Sequence, residues 1–175
     1  IVARVGRLEV LVNEDFPPPD DVTYACAQVA EVEVERETGK VRVARFVTAH
    51  DVGTVINPIT HQGQIDGAFV MGMGQALMEE LVIDGGRVTN ASLGDYKLPT
   101  VADVPELETV LVRSGGGLGP REAKAIGEFA NNSPPAAIAN AVADAVGVRL
   151  LDLPVTAEKI YHGLNGKHGG SHEKR

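Results

Sequence analysis

The sequence predicts an α+β fold in which an antiparallel hairpin is joined to two main helices. Three observations predict it. Residues 30 to 35 alternate apolar and acidic side chains, and a Glu37-Thr38-Gly39-Lys40 turn leads into a second apolar run. Residues 60 to 82 repeat their apolar side chains with a helical period. Ser133-Pro134 then opens a shorter apolar stripe that Gly147 ends.

The elements follow in chain order. Leu8, Val10 and Val12 alternate with Arg7, Glu9 and Leu11, as in a half-buried strand. Phe16-Pro17-Pro18-Pro19-Asp20-Asp21 ends that strand, because consecutive prolines fix φ and lack donors, so residues 13 to 21 read as a loop. Ala30, Val32 and Val34 face one way and Glu31, Glu33 and Glu35 the other, and the partner strand runs through Val41, Val43, Phe46 and Val47. It ends in His50-Asp51-Val52-Gly53, with Asn57-Pro58 beyond, a polar corner that suits either a capped turn or a ligand.

Ile65, Ala68, Phe69, Met73, Ala76 and Glu80 fall near one face of a long helix from Thr60 to Val82. At roughly 100° per residue, Gly63, Gly67 and Gly74 form a stripe almost opposite. Glycine inside a helix costs up to ~1 kcal/mol relative to alanine, so the stripe implies close approach by another element or by a cofactor. Gly85-Gly86 breaks the chain, Asp95-Tyr96-Lys97-Leu98-Pro99 reads as extended, and Val110 to Val112 as a short strand. Ser114-Gly115-Gly116-Gly117-Leu118-Gly119-Pro120 is either a flexible connection or an anion-binding nest, and no phosphate-loop Gly-Lys-Ser follows it. Ser133 is placed as N-cap and Pro134 as the first residue of the second helix, whose stripe is Ala137, Ile138, Ala141, Val142 and Val146. Residues 1 to 163 form one unit, and residues 164 to 175 a polar, flexible tail in which His168 and His172 read as a solvated terminus rather than as adventitious metal contacts.

Composition narrows the function. Sixteen basic against twenty-four acidic residues give a net charge of −8, unlike the basic stripe of a nucleic-acid binder. No apolar run approaches the ~18 residues of a membrane span. A single cysteine, Cys26, excludes an internal disulfide and cannot hold a cysteine-ligated zinc or an iron–sulfur cluster. The chain begins with Ile1, which points to processing or to a piece of a longer protein. Glu128 stands out among the acids: it follows Gly127 and precedes the Ser133 helix start, where a carboxylate is either solvated or held as a general base.

The order of several short segments resembles the C-terminal part of the molybdenum-binding large subunit of the xanthine dehydrogenase and aldehyde oxidase family. These are Ala27-Gln28-Val29-Ala30-Glu31-Val32, His50-Asp51-Val52-Gly53 with Asn57-Pro58, and Gly63-Gln64-Ile65-Asp66-Gly67-Ala68. Asp95-Tyr96-Lys97-Leu98-Pro99-Thr100, Ala123-Lys124-Ala125-Ile126-Gly127-Glu128 and Pro135-Ala136-Ala137-Ile138-Ala139-Asn140-Ala141 complete the series. Each alone is weak, and their order and spacing together are specific.

The resemblance implies a molybdenum hydroxylase, which inserts oxygen derived from water into an aldehyde or an aromatic N-heterocycle. It implies that Glu128 is the active-site base and that Gln64 hydrogen-bonds a molybdopterin, in bacterial relatives the cytosine dinucleotide form. Gly63 and Gly67 then face that cofactor, and Lys124, Ala125, Ile126 and Gly127 lie along it. No protein side chain ligates the molybdenum in such enzymes. Iron–sulfur clusters and FAD are expected on partner chains, together with the remainder of the molybdenum subunit, and the assembly is expected in the cytoplasm. Two positions depart from the family pattern. Phe129 stands where proline is common, and Met71 where a glutamine is common. A non-catalytic scaffold of the same fold is the alternative these departures leave open.

Overall fold

The structure, a computed structural model, describes residues 2–5, 8–11, 24–117 and 121–166. Strand β1 (Val2–Val5) pairs antiparallel with β2 (Leu8–Leu11). The expected strand is therefore present up to Leu11, while Val12, the loop at 13 to 21 and the residues after 166 lie outside the described residues.

The central sheet has three strands. Strands β3 (Cys26–Val34) and β4 (Val41–Asp51) form the expected antiparallel hairpin, with a bulge between Glu31 and Val32. The alternation behaves as read: Ala30, Val32 and Val34 turn toward the core, while Glu31 and Glu33 are exposed. Gly39 closes the turn with φ of +76°, and its amide donates to the Glu35 carbonyl at 2.7 Å. Strand β7 (Glu106–Val112) then pairs parallel with β4, giving the order β3-β4-β7. The sequence marked only Val110 to Val112 as strand. A parallel neighbour needs a long crossover, here supplied by helix α1 and the segment after it, and no local pattern announces that pairing.

Helix α1 spans Pro58–Leu77. It starts before the expected Thr60 because Asn57 caps it, its Oδ1 accepting from the amides of Ile59 at 3.1 Å and Thr60 at 3.3 Å. It ends well before Val82. The amides of Met78 and Glu79 both turn back to the Gly74 carbonyl, and Val82 instead leads into β5 (Ile83–Asp84). Gly85 and Gly86, both with positive φ, turn β5 into β6 (Arg87–Val88), so this break is a hairpin. Asp95 lies in a turn, not in an extended segment.

Helix α2 (Pro134–Val146) begins with Pro134 and ends at Gly147, which has φ of +74°. Ser133 occupies the position before it but does not cap it: its backbone is helical, and its hydroxyl lies 3.5 Å from the Cys26 thiol. A third helix, α3 (Ala157–Leu164), was not evident from the sequence, being short and mostly polar. Ile160 is fully buried and Leu164 packs on the core, so the helix carries chain past the expected boundary at 163. The core lies where α1, α2 and α3 meet the inner face of the hairpin. Phe46 and Phe69 stack there with centroids 4.4 Å apart, surrounded by Met73, Ile138, Val142 and Ile160.

Candidate functional site

The N-terminal half of α1 has two unlike faces. Ile65 and Ala68 turn inward and form, with Ala130 and Ile126, a second small apolar cluster apart from the main core. That cluster seats residues 126 to 130 against the helix. Gly63, Gln64 and Gly67 lie on the exposed side. From there the Gln64 side-chain amide donates to the Gly127 carbonyl at 2.5 Å. Two residues far apart in sequence are thus brought together, and Glu128 follows immediately.

Glu128 is exposed and sits in a turn whose backbone is self-bonded. The Phe129 amide donates to the Ile126 carbonyl at 3.3 Å, and the Asn131 amide to the Glu128 carbonyl at 3.2 Å. Ala125 is exposed beside it, whereas Ile126 is half-buried. Phe129, the residue that departs from the family pattern, packs inward, its ring 6.1 Å from Tyr24 and 6.3 Å from His50. Met71, the other departure, is exposed.

Lys124 behaves differently from its neighbours. Its ammonium is buried and donates to Asp51 Oδ2 at 2.6 Å and to Ser114 Oγ at 3.0 Å, while the Ser114 hydroxyl also donates to Asp51 at 2.6 Å. The Lys124 bond foremost, then Ser114, holds the Asp51 carboxyl down at about 2. Backbone bonds reinforce this anchor: the Lys124 amide donates to the Val52 carbonyl at 3.0 Å, and Thr54 to Glu122 at 3.2 Å. Gly53 is required in that crossing. It has φ of +59°, and a Cβ there would lie 2.1 Å from the Glu122 carbonyl oxygen. The His50-Asp51-Val52-Gly53 corner therefore anchors the segment leading to Glu128, and Asn57-Pro58 starts the helix bearing Gln64.

The glycine stripe divides. A Cβ at Gly63, Gly67 or Gly127 would meet nothing within 4 Å, whereas one at Gly74 would collide with Glu79 and Pro99. No part of the described chain explains the first three glycines by close packing. They flank the exposed amide of Gln64 with an open, nearly side-chain-free surface, which fits a flat group rich in hydrogen-bonding atoms approaching from outside. Among the described residues, no group of three or more His, Cys, Asp or Glu side chains is placed to hold a metal ion. Donors for such a flat group would come from Gln64 and from backbone near Gly127.

Sequence reasoning missed Asp51 and Ser114 as partners of Lys124, and it missed Gln28, Thr48 and His50 beneath the Glu128 turn. The last three share a signal. They are polar residues at inward positions of the alternating hairpin, where an apolar side chain is the norm.

The family described as Molybdopterin cofactor-binding domain matches residues 10–105, and the chain belongs to this family. It is 41% identical over 137 residues to the aldehyde oxidoreductase molybdenum-binding subunit PaoC of Escherichia coli strain K12, covering 77% of this chain and 19% of that protein. It is 38% identical over 162 residues to the xanthine dehydrogenase molybdenum-binding subunit of Escherichia coli O157:H7, covering 90% of this chain and 21% of that one. Among solved structures, quinoline 2-oxidoreductase from Pseudomonas putida 86 superimposes with a TM-score of 0.72 at 34% identity, over 77% of this chain and 18% of that one. The chain is thus related to the molybdenum-binding subunits of the xanthine dehydrogenase and aldehyde oxidase type, and it spans about a fifth of the length of the relatives it matches. No described helix is long and apolar enough to cross a membrane.

Proposed function

We propose that this chain supplies the catalytic base and part of the cofactor surface of a molybdenum hydroxylase, acting on an aldehyde or an aromatic N-heterocycle. One observation carries the reading: the Gln64 amide is bonded to the Gly127 carbonyl, which brings the glutamine, with the open Gly63 and Gly67 on its helix, next to the residue before Glu128. The molybdenum and aldehyde or xanthine chemistry named for the relatives supports it. When bound, a molybdopterin supplies a redox-active molybdenum that takes two electrons from the substrate. Gln64 would hold the cofactor by its side-chain amide, with the chain near Lys124, Ala125, Ile126 and Gly127 alongside and Gly63 and Gly67 leaving room.

Glu128 would accept the proton of the water-derived hydroxyl that becomes the inserted oxygen. A positioned base is worth ~10²- to 10⁴-fold in rate. The chain has one cysteine, so electrons would leave through iron–sulfur clusters and FAD on partner chains, next to the remainder of the molybdenum subunit. The cofactor form we favour is the cytosine dinucleotide, and the compartment the cytoplasm.

The test is Glu128→Gln in the assembly purified with its partner chains. Glutamine keeps the shape and loses the basic oxygen, so the assembly should form, retain molybdenum and pterin, and lose at least ~10²-fold in turnover. Near-native turnover with full cofactor would end this assignment.

A further inference from the structure

Beneath the Glu128 turn runs a chain of polar side chains in an otherwise apolar interior. Gln28, on the inner face of β3, donates from Nε2 to Thr48 Oγ1 at 2.9 Å and to the Ala130 carbonyl at 3.1 Å. That carbonyl can only accept, which fixes the nitrogen end of the amide toward it. Thr48 Oγ1 then lies 2.6 Å from His50 Nε2. The threonine hydroxyl can accept twice and donate once, so the direction of its bond with His50 follows the ring tautomer. Burial lowers the His50 pKa and so favours the neutral ring. Thr48, His50 and Ala130 are fully buried.

The arrangement is costly to keep. Gln28 Oε1 and His50 Nδ1 are buried and have no partner among the described residues. Apolar residues at these inward positions would avoid that penalty. What Gln28 gains in return is a hold on the turn. Gln64 grips the carbonyl on one side of Glu128, at Gly127, and Gln28 grips another two residues beyond it, at Ala130. Among the described residues, the turn's own backbone ties are the Phe129 and Asn131 amide bonds, both longer than 3 Å.

We propose that Gln28 is a positioning residue for Glu128: with Gln64 it clamps the turn from the sheet side and sets where the carboxylate stands. This rests on the reading of Glu128 as the base. Gln64 is the exposed half of the clamp and Gln28 the half-buried one on the sheet side, so the latter can be removed without touching the Gln64 face.

The experiment compares Gln28→Met and Gln28→Glu with the native assembly, reading turnover and amide hydrogen exchange at Phe129 and Asn131. Methionine fills the space but cannot donate. Exchange at those two amides should rise at least about threefold, the size expected for losing one hydrogen bond, while interior β4 amides keep their protection. Turnover should fall by a similar factor at saturating substrate, with KM little changed. Glutamate restores the donor only when protonated, and burial raises its pKa. Turnover and protection in Gln28→Glu, each relative to native, should therefore recover as pH falls. A purely structural loss would give ratios flat with pH.

Native exchange in Gln28→Met overturns the proposal, as does faster exchange with unchanged turnover. A Gln28→Glu ratio independent of pH also overturns it. The Glu128→Gln assembly separates the two ideas. If it retains turnover the base assignment fails, and the exchange at Phe129 and Asn131 still reports whether Gln28 holds the turn.

Discussion

Lys124 and Asp51 lie 73 positions apart and meet at 2.6 Å, with the lysine side chain only 4% exposed. The pair anchors the segment that leads to Glu128, and its strength depends on pH. In the folded protein the Asp51 carboxyl is held at about 2, below its ordinary 3.8. Because the folded value is the lower one, its stabilisation is fully present above the ordinary value and is lost as pH falls through about 2. Replacing Asp51 with Asn should remove that part of the acid dependence, flattening the stability curve between about pH 4 and pH 2. Denaturant midpoints across this window check it, and identical slopes for the native and Asp51→Asn proteins would show that the pair does not carry the effect. Sequence could single out Glu128 and Gln64 because each lies in a recognisable segment. It could not pair Asp51 with Lys124, since the fold alone decides which acid meets a buried lysine.

At the scale of the element, helix α1 carries two kinds of glycine that sequence could not tell apart. Gly72 faces α2, and a Cβ there would lie 2.8 Å from Pro134 Cγ and 2.9 Å from the Asn131 carbonyl oxygen. Gly72→Ala should therefore destabilise by about 1–3 kcal/mol through overpacking. Gly67 faces open space, so Gly67→Ala should stabilise the helix by up to ~1 kcal/mol. Unfolding midpoints that moved the same way for both would sink this distinction. The functional claim adds a second expectation. Gly67→Leu should lower molybdenum and pterin content even though the helix tolerates it, and full occupancy would mean that this face is not the cofactor's. The same contrast explains what was legible among the elements. The β3–β4 hairpin and α2 are visible because their patterns are local: alternation along a strand, or a proline start with a glycine stop. The parallel placement of β7 depends on a crossover, and α3 depends on Ile160 and Leu164 finding a core made elsewhere, so neither leaves a strong local mark.

For the whole molecule, the partners are a matter of uncovered surface. Strand β7 is the edge of the β3-β4-β7 sheet, yet Val110, Leu111 and Val112 are 43%, 39% and 47% exposed. A parallel strand is ordinarily covered on both faces, and an apolar unpaired edge invites association. Ile59 at 85% and Val101 at 93% exposed extend the uncovered apolar surface beyond the sheet. The chain matches about a fifth of the length of its relatives, which leaves ample protein to cover it. We expect the remainder of a molybdenum subunit to pair along β7 and to bury well over ~2,000 Å² in total, as obligate interfaces do. Amides of β7 should then exchange slowly in the assembly and at least tenfold faster when the chain is prepared alone, while β4 amides, paired on both sides, change less. The chain alone should also self-associate in light scattering, because no described strand pairs with that edge. A monodisperse monomer that unfolds cooperatively, with equal β7 exchange in both preparations, would contradict the interface and leave this domain self-sufficient.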